Sequence, residues 1–340
     1  MVIEVNPKVL TQMFGDFVKN SKVMFNFKTN GRYLEIQMLG DYTVTTGFDV
    51  KSLDGDYTEQ DITVWVTKCV HILNKDEYIR ITITDAQMLI EQSVFSCVML
   101  REYESRRSFP DISGIQLLDA QAERLRALMA MSMAGLGMAK ELSISPPDPM
   151  FVRGNMYMYY HQAAIVASIN YPEISIPFST LRDFVGKLDK HATYAYLKQE
   201  EVMYFHSECY DFWIPVINYN INAEVVNNLD KRLLEASTIT KVSFNGYKEK
   251  LLTIADTFPK QQVNMGLGSG NFIVNVSTNS HNVSIGNAIG DSGIAFNITS
   301  AQLASVAKLF GEEEITVKKG VRCICLSSAQ KTLILAGVTY

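Results

Sequence analysis

The sequence of 340 residues predicts an α+β protein made of three similar domains, each built from two β/α units. The first observation is a pattern that occurs six times: a short strand, a helix-start signal and an apolar run at helical spacing. The second observation is the distance between copies. Every second copy follows after 112 and 127 residues in one series and after 112 and 120 in the other, so the repeating unit is a pair of copies.

Each strand of the pattern precedes a predicted helix. The strands begin at Ile3, Ile62, Ile115, Ile174, Val242 and Ile294, and the helices are predicted over 7–19, 67–75, 119–131, 179–190, 246–258 and 299–310. Side chains that can accept hydrogen bonds from free backbone N–H groups stand at the helix starts, namely Asn6, Thr67, Asp119, Ser179, Asn245 and Thr299. Apolar residues then recur three and four positions apart, as at Leu10, Met13, Phe14 and Phe17, which predicts helices with one buried face.

The segments after the helices are predicted to be strands. In the first repeat, 22–27, 33–39 and 42–50 are separated by the turn signals Thr-Asn-Gly and Leu-Gly-Asp. Later runs of the same kind lie at 78–84, 88–92, 194–196, 202–206, 272–276, 315–317, 321–326 and 332–336. Each repeat is therefore expected to place one helix on a small antiparallel sheet.

One such unit leaves an apolar sheet face and helix stripe uncovered, so two units must pack together to form a core. The predicted domains are 1–111, 112–230 and 231–340. Polar or charged stretches at 101–111 and 218–231 mark the two linkers.

The composition is typical of a globular protein, with 47% hydrophobic and 20% charged residues and a formal charge of −5. No apolar run approaches the roughly 18 residues that would span a bilayer. The N-terminal residues lack the basic and apolar regions of a signal peptide. We therefore expect a cytoplasmic protein that does not enter the membrane.

The five cysteines are scattered through apolar segments. Cys323 and Cys325 would share one face of a strand, but no second pair stands at zinc-ligand spacing, so we expect buried thiols and no metal. The five histidines are dispersed and accompany no recognisable nucleophile. The sequence thus predicts neither an enzyme nor a cofactor site.

The glycine-rich segment from Gly266 to Gly270 has the composition of a phosphate-binding loop. It stands between two predicted strands and does not open a helix. A hairpin loop is therefore the preferred interpretation.

Three similar domains, each a double β/α unit with one helix per unit, resemble the DNA sliding clamps in their three-domain bacterial form. The best residue match is the sixth unit, where Ile294-Ala-Phe296-Asn297-Ile298 leads into the helix at 300–310. The strand at 332–336 is similar to the C-terminal strand of these clamps. The middle domain and the tail Ala-Gly-Val-Thr-Tyr depart from the family pattern, which indicates a divergent member of bacterial or phage origin.

The resemblance implies a ring-forming fold with antiparallel sheets outside and helices lining a central hole. It implies a head-to-tail homodimer that encircles double-stranded DNA without sequence preference and tethers the replicative DNA polymerase. An ATP-dependent clamp loader would place it on DNA. No catalytic residues are expected.

Charge on the predicted helices agrees with a basic lining. The helices hold twelve cations against seven acidic residues, a net +5, so the rest of the chain must hold −10 to give the total of −5. Non-specific attraction to phosphates needs such cations. The predicted DNA-binding residues are Lys8, Lys19, Lys68, Lys75, Arg124, Arg126, Arg182, Lys187, Lys190, Lys248, Lys250 and Lys308.

The resemblance also implies a groove for partner peptides between the second and third domains, beside the C-terminus. Carried onto this chain, the groove would include Val226, Leu229, Leu335, Val338 and Tyr340. The alternative is that Leu335 and Val338 belong to the core of their strand.

Two other functions remain open at this stage. The first is a structural or interaction protein of repeated β/α modules, such as a phage assembly component, that does not bind DNA. In that case the helical cations would be scattered, whereas a clamp requires them to converge on one surface. The second is a monomeric processivity factor that holds DNA on one basic face, which a mass measurement in solution would distinguish from a dimer.

Overall fold

The structure is a computed structural model that describes residues 1–18, 22–67, 76–136, 141–144, 150–153, 156–160, 174–216, 238–268, 271–276, 282–285, 288–290, 295–336 and 338. The chain divides into two compact units. Unit 1 comprises Met1–Ala120 and Leu188–Pro215, and unit 2 comprises Gln121–Lys187 and Val216–Tyr340. The three-domain boundaries stay a prediction.

The described residues form five helices and 26 strands. The helices are α1 (Pro7–Phe17), α2 (Ala122–Leu136), α3 (Phe178–Val185), α4 (Lys248–Thr257) and α5 (Ser300–Phe310). The strands of the first half are β1 (Val2–Val5), β2 (Val23–Thr29), β3 (Tyr33–Leu39), β4 (Thr43–Asp49), β5 (Lys51–Ser52), β6 (Gln60–Val66), β7 (Ile79–Ile83), β8 (Gln87–Gln92), β9 (Phe95–Glu102), β10 (Leu118–Asp119), β11 (Glu141–Ile144), β12 (Met150–Arg153) and β13 (Met156–Tyr160). Those of the second half are β14 (Ile174–Pro177), β15 (Thr193–Leu197), β16 (Val202–His206), β17 (Asp211–Pro215), β18 (Thr238–Ser243), β19 (Gln262–Gly268), β20 (Asn271–Val276), β21 (Asn282–Ile285), β22 (Ala288–Gly290), β23 (Ala295–Thr299), β24 (Glu314–Gly320), β25 (Cys323–Ser327) and β26 (Lys331–Ala336).

Unit 1 contains one antiparallel sheet of 13 strands in the order β10-β15-β16-β17-β4-β3-β2-β6-β9-β8-β7-β1-β5. Helix α1 buries its apolar side, including Leu10, Met13 and Phe14. The Phe14 ring meets those of Phe25 and Phe27 on β2 edge-on, with centroids 5.4 and 6.4 Å apart. This aromatic cluster fixes the helix on the sheet.

Unit 2 contains a nine-stranded sheet in the order β14-β11-β12-β13-β26-β25-β24-β18-β22 and a four-stranded sheet in the order β21-β20-β19-β23. Its helices lie side by side, since α2 contacts both α3 and α5, and α5 contacts α4. The row therefore runs α3-α2-α5-α4. Helices α3 and α5 also contact the sheets.

Two strand pairings join segments that are far apart in the sequence. In the first seam, β17 pairs with β4, with Asp211 opposite Thr45 and Trp213 opposite Thr43. In the second seam, β26 pairs with β13 over five residues of each strand. Each seam joins the last strand of one predicted domain to a strand of the domain before it.

Two of the predicted helix starts are confirmed. The Asn6 side chain accepts the N–H of Lys8, and Pro7 opens α1. At α5, Thr299 and Gln302 form a reciprocal capping box, in which each side chain bonds the other residue's backbone N–H.

Three other predicted caps are wrong, and local backbone geometry explains each. Asn245 is followed by Gly246 at φ +79°, and the resulting turn delays α4 to Lys248. Strand β14 runs directly into α3 through Pro177, ahead of Ser179. Asp119 pairs in β10, so α2 begins later. The predicted cap Thr67 precedes residues 68–75, which lie outside the described residues.

An antiparallel hairpin is present at the glycine-rich segment, but Gly266 to Gly268 belong to strand β19 and not to a loop. Strands β19 and β20 pair up to Gly268 opposite Asn271, and residues 269–270 lie outside the described residues. The expectation of buried thiols holds at Cys323 and Cys325, which form a buried cluster with Ile334. It is wrong at Cys209, which is exposed, and Cys97 is only partly buried. None of the helices in the described part of the chain is long and apolar enough to cross a membrane.

Asp189 supports the turn between β16 and β17. Its carboxylate accepts the N–H of Glu208 at 2.6 Å and the hydroxyl of Ser207 at 2.7 Å, together with the N–H of His191 at 2.6 Å. These bonds, led by that from Glu208, lower the pKa of Asp189 from 3.8 to about 2.

This carboxylate predicts an acid-dependent loss of stability. Because its folded pKa lies below the unfolded value, the stabilisation is complete above pH 3.8 and disappears as the pH falls towards about 2. The variant Asp189→Asn should be less stable at neutral pH and lose less stability over that interval. Urea denaturation at a series of pH values measures both, and equal pH dependence in the two proteins would contradict the prediction.

Candidate nucleic-acid interface

Every helix that the structure describes carries at least one of the predicted DNA-binding cations. They are Lys8 on α1, Arg124 and Arg126 on α2, Arg182 on α3, Lys248 and Lys250 on α4, and Lys308 on α5. Four of these helices form the row in unit 2. The structure thus brings the cations of α2 to α5 onto adjacent helices.

Helix α1 presents an exposed stripe with one positive charge. Lys8, Gln12 and Gly15 are exposed at the spacing of one helix face. The only carboxylate of the helix, Asp16, accepts the hydroxyl of Tyr210 at 2.8 Å. Burial and the bond to Asp16 raise the pKa of Tyr210 above its usual range, so the hydroxyl remains a donor. Asp16 is thereby held beside Tyr210, and Lys8 is the charge on the exposed stripe.

Helix α5 has a similar surface. Ala301 and Lys308 are exposed and lie seven residues apart, on one face of the helix. The opposite side is buried, including Leu303, Val306 and Phe310. The exposed stripe therefore carries a single lysine among small residues.

The cations of the other helices in unit 2 have acidic or polar neighbours. Arg182 reaches the adjacent Asp183 at 3.3 Å, and Arg124 donates to the side chain of Gln121 at 3.2 Å. On α4, Lys248 lies 3.5 Å from Glu312, and the Lys250 ammonium lies 5.2 Å from the ring centre of Tyr247. These are surface interactions between partly exposed side chains, which cost little to exchange for phosphate contacts.

The charge excess of the described helices is smaller than the sequence predicts. Seven cations stand against five acidic residues, a net +2. One reason is that α3 ends at Val185, so Lys187 and Lys190 follow the helix. Another is that Lys19, Lys68 and Lys75 lie outside the described residues.

A set of lysines and arginines on neighbouring helices can attract a phosphate backbone without reading bases. Long side chains with few fixed partners can exchange one phosphate contact for the next as a duplex moves past them. Within the described residues, no three His, Cys, Asp or Glu side chains lie together in a way that could hold a metal ion.

Two residues of the predicted peptide groove are described, and both are buried. Leu335 lies between Met156 of β13 and Ile324 of β25 in the nine-stranded sheet, and Val338 follows the last strand. Val226, Leu229 and Tyr340 lie outside the described residues. A role of these five residues in peptide binding stays a prediction.

The other face of β26 carries an apolar cluster that the sequence interpretation missed. Because successive side chains of a strand alternate, Ile334 points away from the Leu335 side. It packs with Cys323 and Cys325, and Tyr157 packs against this cluster across the second seam. The alternation of Ile334 with Leu335 was the signal that could have identified it.

Strand β9 is a second feature that the sequence interpretation missed. It pairs with β8 along its length and with β6 only through Arg101 and Glu102 among the described strands. Val98 and Leu100 on β9 are 56% and 70% exposed, and Val94 before it is 87% exposed. An apolar strand exposed in this way is a typical site for strand pairing with another chain.

The comparisons with known proteins identify the fold. No family model matches the sequence, and no curated protein matches it. Among solved structures, the chain is similar to the DNA polymerase III subunit beta from Pseudomonas aeruginosa, with 10% identity, a TM-score of 0.71 and 100% coverage of both chains. A putative DNA polymerase III beta subunit from Eubacterium rectale gives 10% identity, a TM-score of 0.70 and the same coverage. The Helicobacter pylori beta clamp bound to a DNA ligase peptide gives 11% identity, a TM-score of 0.66 and 100% coverage of both chains.

These likenesses extend over the whole chain, although about nine in ten aligned residues differ. The fold expected from the repeats is thereby confirmed, while ring closure stays a prediction. The chain has the fold of the bacterial DNA polymerase III beta subunit, the sliding clamp.

Proposed function

We propose that this protein is a DNA sliding clamp, a non-catalytic ring that encircles duplex DNA and tethers a DNA polymerase. The observation that carries this proposal is the fold, which matches beta clamps over 100% of both chains. A topological link needs no tight contact with DNA, so the ring can slide while it keeps the polymerase near the primer end.

The seams of the chain support closure as a head-to-tail homodimer. Strand β17 ends the second predicted domain and pairs with β4, and β26 ends the third and pairs with β13. The corresponding strand that ends the first domain is β9. The third-domain strand that corresponds to β4 and β13 is β21, which ends its sheet among the described strands. Pairing of β9 with β21 of a second copy would repeat the same joint, and two such joints would close a ring.

The surface of β9 fits this closure. Val98 and Leu100 are exposed in the isolated chain and would be buried in a joint with β21. In the two seams that the chain forms by itself, the equivalent strands bury Phe212 and Leu333. An apolar edge that stayed exposed would favour aggregation.

The cations on α1 to α5 support contact with DNA. The complete predicted set would supply phosphate contacts inside the ring, with no base readout. A clamp loader that uses ATP would open one of the two β9–β21 joints, and polymerase peptides would dock near the second seam. A solved relative with this fold is the Helicobacter pylori clamp bound to a DNA ligase peptide.

Retention on circular DNA tests the topological link. The protein, loaded on a nicked circular duplex, should elute with the DNA and be released when the circle is cut to a linear form. Equal retention on circular and linear DNA would contradict encirclement. A structural protein of repeated modules would be retained on neither substrate.

A further inference from the structure

The segment that connects β9 to β10 crosses one face of the first seam. We call residues 105–112 the strap; they have no helix or strand and lie within unit 1. The sequence interpretation assigned the charged stretch at 101–111 to a linker. The structure instead places its side chains and backbone in specific contacts with β3, β4 and β17.

The backbone of the strap is bound by a buried side chain. The amide of Gln37, which is fully buried, accepts the N–H of Arg107 at 2.7 Å and donates to its carbonyl at 3.1 Å. A neighbouring β-strand would bind the backbone of Arg107 through the same two hydrogen bonds, one to its N–H and one to its carbonyl. Residue 107 is therefore held by its main chain, independently of its side chain.

Two arginines anchor the strap by charge and hydrogen bonds. Arg106 forms an ion pair with Glu35 of β3. The Arg107 guanidinium donates to the carbonyl of Gly40 at 2.9 Å and to the hydroxyl of Thr43 at 3.0 Å. These bonds fix the register of the strap on the sheet.

An aromatic ring completes the contact. Phe109 stacks on Trp213 of β17, with ring centroids 4.2 Å apart and planes 8° from parallel. Ile112 also packs against the buried cluster that contains Trp213 and Tyr204. A cavity of about 420 Å³ remains beside the strap, lined in part by Tyr33 and Asp211.

A main-chain clip, charged anchors and an apolar slot for one large side chain are the elements with which proteins hold extended peptides. We propose that this face of the first seam is a peptide-docking site that the strap of the same chain occupies in cis. The site would therefore be closed to partners, which leaves the second seam for their peptides. Only this consequence for partners rests on the proposed function.

The test removes the strap and returns it as a separate peptide. In the strap variant, residues 106–112 are replaced by glycine and serine at equal length. The probe is a fluorescein-labelled peptide with the sequence of residues 104–114, and binding is measured by fluorescence anisotropy. The strap variant should bind the probe at least tenfold more tightly than the unmodified protein does. A probe with alanine in place of Phe109 should bind the variant at least tenfold more weakly.

A second variant guards against misfolding of the first. Phe109→Ala empties the slot beside Trp213 but keeps both arginines. In a Trp65→Phe background, Trp213 is the only tryptophan, because the chain has two. Titration with N-acetyl-phenylalaninamide should change its fluorescence saturably in the Phe109→Ala protein and not in the protein that retains Phe109.

Two results would overturn the proposal. One is that a folded strap variant, judged by circular dichroism, does not bind the probe, or binds it no more tightly than the unmodified protein. If the strap variant does not fold, the second result decides: the absence of a saturable fluorescence change when the Phe109→Ala protein is titrated. Neither measurement involves DNA, so a failure here would leave the sliding-clamp proposal standing.

Discussion

Replacement of both Val98 and Leu100 by aspartate is expected to convert a dimer of two 38.2-kDa chains into monomers. Both side chains project from the exposed part of β9, at 56% and 70% exposure. In the proposed β9–β21 joint they would be buried, and aspartates there would lose hydration without gaining a partner. We expect the dimer dissociation constant to rise at least about a hundredfold, which corresponds to about 2.7 kcal/mol.

Sedimentation equilibrium measures this change directly, and the nicked-circle assay should show loss of retention in the same variant. Val321→Asp is a matched control, because Val321 is 54% exposed but lies in the turn between β24 and β25. The control should remain a dimer. A monomeric unmodified protein, or a double variant with unchanged mass, would refute closure through β9.

Replacement of Lys8, Lys250 and Lys308 by glutamine is expected to weaken binding to linear duplex DNA and to flatten its salt dependence. The three lysines are exposed on α1, α4 and α5. Each phosphate contact contributes about −0.9 to the slope of log K against log salt concentration. If all three act in both chains of the dimer, six contacts are lost and the slope should become less negative by about 5.

The measurement is fluorescence anisotropy of a labelled duplex across a series of salt concentrations. A second triple variant with glutamine at Lys51, Arg80 and Lys241 removes the same charge from exposed positions on strands β5, β7 and β18. Its slope should change little. Equal effects of the two triple variants would show that affinity follows net charge, and would remove the helices from the DNA-binding surface.

Much of the architecture could be predicted because local signals agree with the fold at several elements. Strands β3 and β16 match their predicted ranges, and turn signals bound β3 on both sides. The starts of α1 and α5 were predicted because Asn6 and Thr299 form the expected cap bonds. Capping is a local interaction, so a single sequence can reveal it.

Elements that depend on distant partners were harder to predict. Strand β17 reads Asp-Phe-Trp-Ile-Pro, with three adjacent buried residues and no alternation, because it lies inside a sheet between β16 and β4. Strand β9 was missed although it is rich in apolar residues. The charged stretch at 101–111 was assigned to a linker because composition does not show that Gln37 would bind the backbone of Arg107.

In the candidate interface, too, local features could be predicted and contacts with distant residues could not. Residue type alone selected the lysines and arginines of the helices, and each described helix carries at least one of them. The contacts of the acidic residues beside them could not be predicted. Asp16, for example, accepts a hydrogen bond from Tyr210, which lies 194 residues away in the sequence. The opposite faces of Ile334 and Leu335, by contrast, follow from the alternation of side chains within the predicted strand at 332–336.

The seams explain how this architecture tolerates extensive divergence. Their joints are ladders of N–H and C=O groups, which every residue except proline supplies in full. Substitutions along β4, β13, β17 and β26 can therefore accumulate while the joint itself persists. Chains that differ at about nine in ten aligned positions can therefore share the same means of linking one module to the next, in keeping with 10% identity at full coverage.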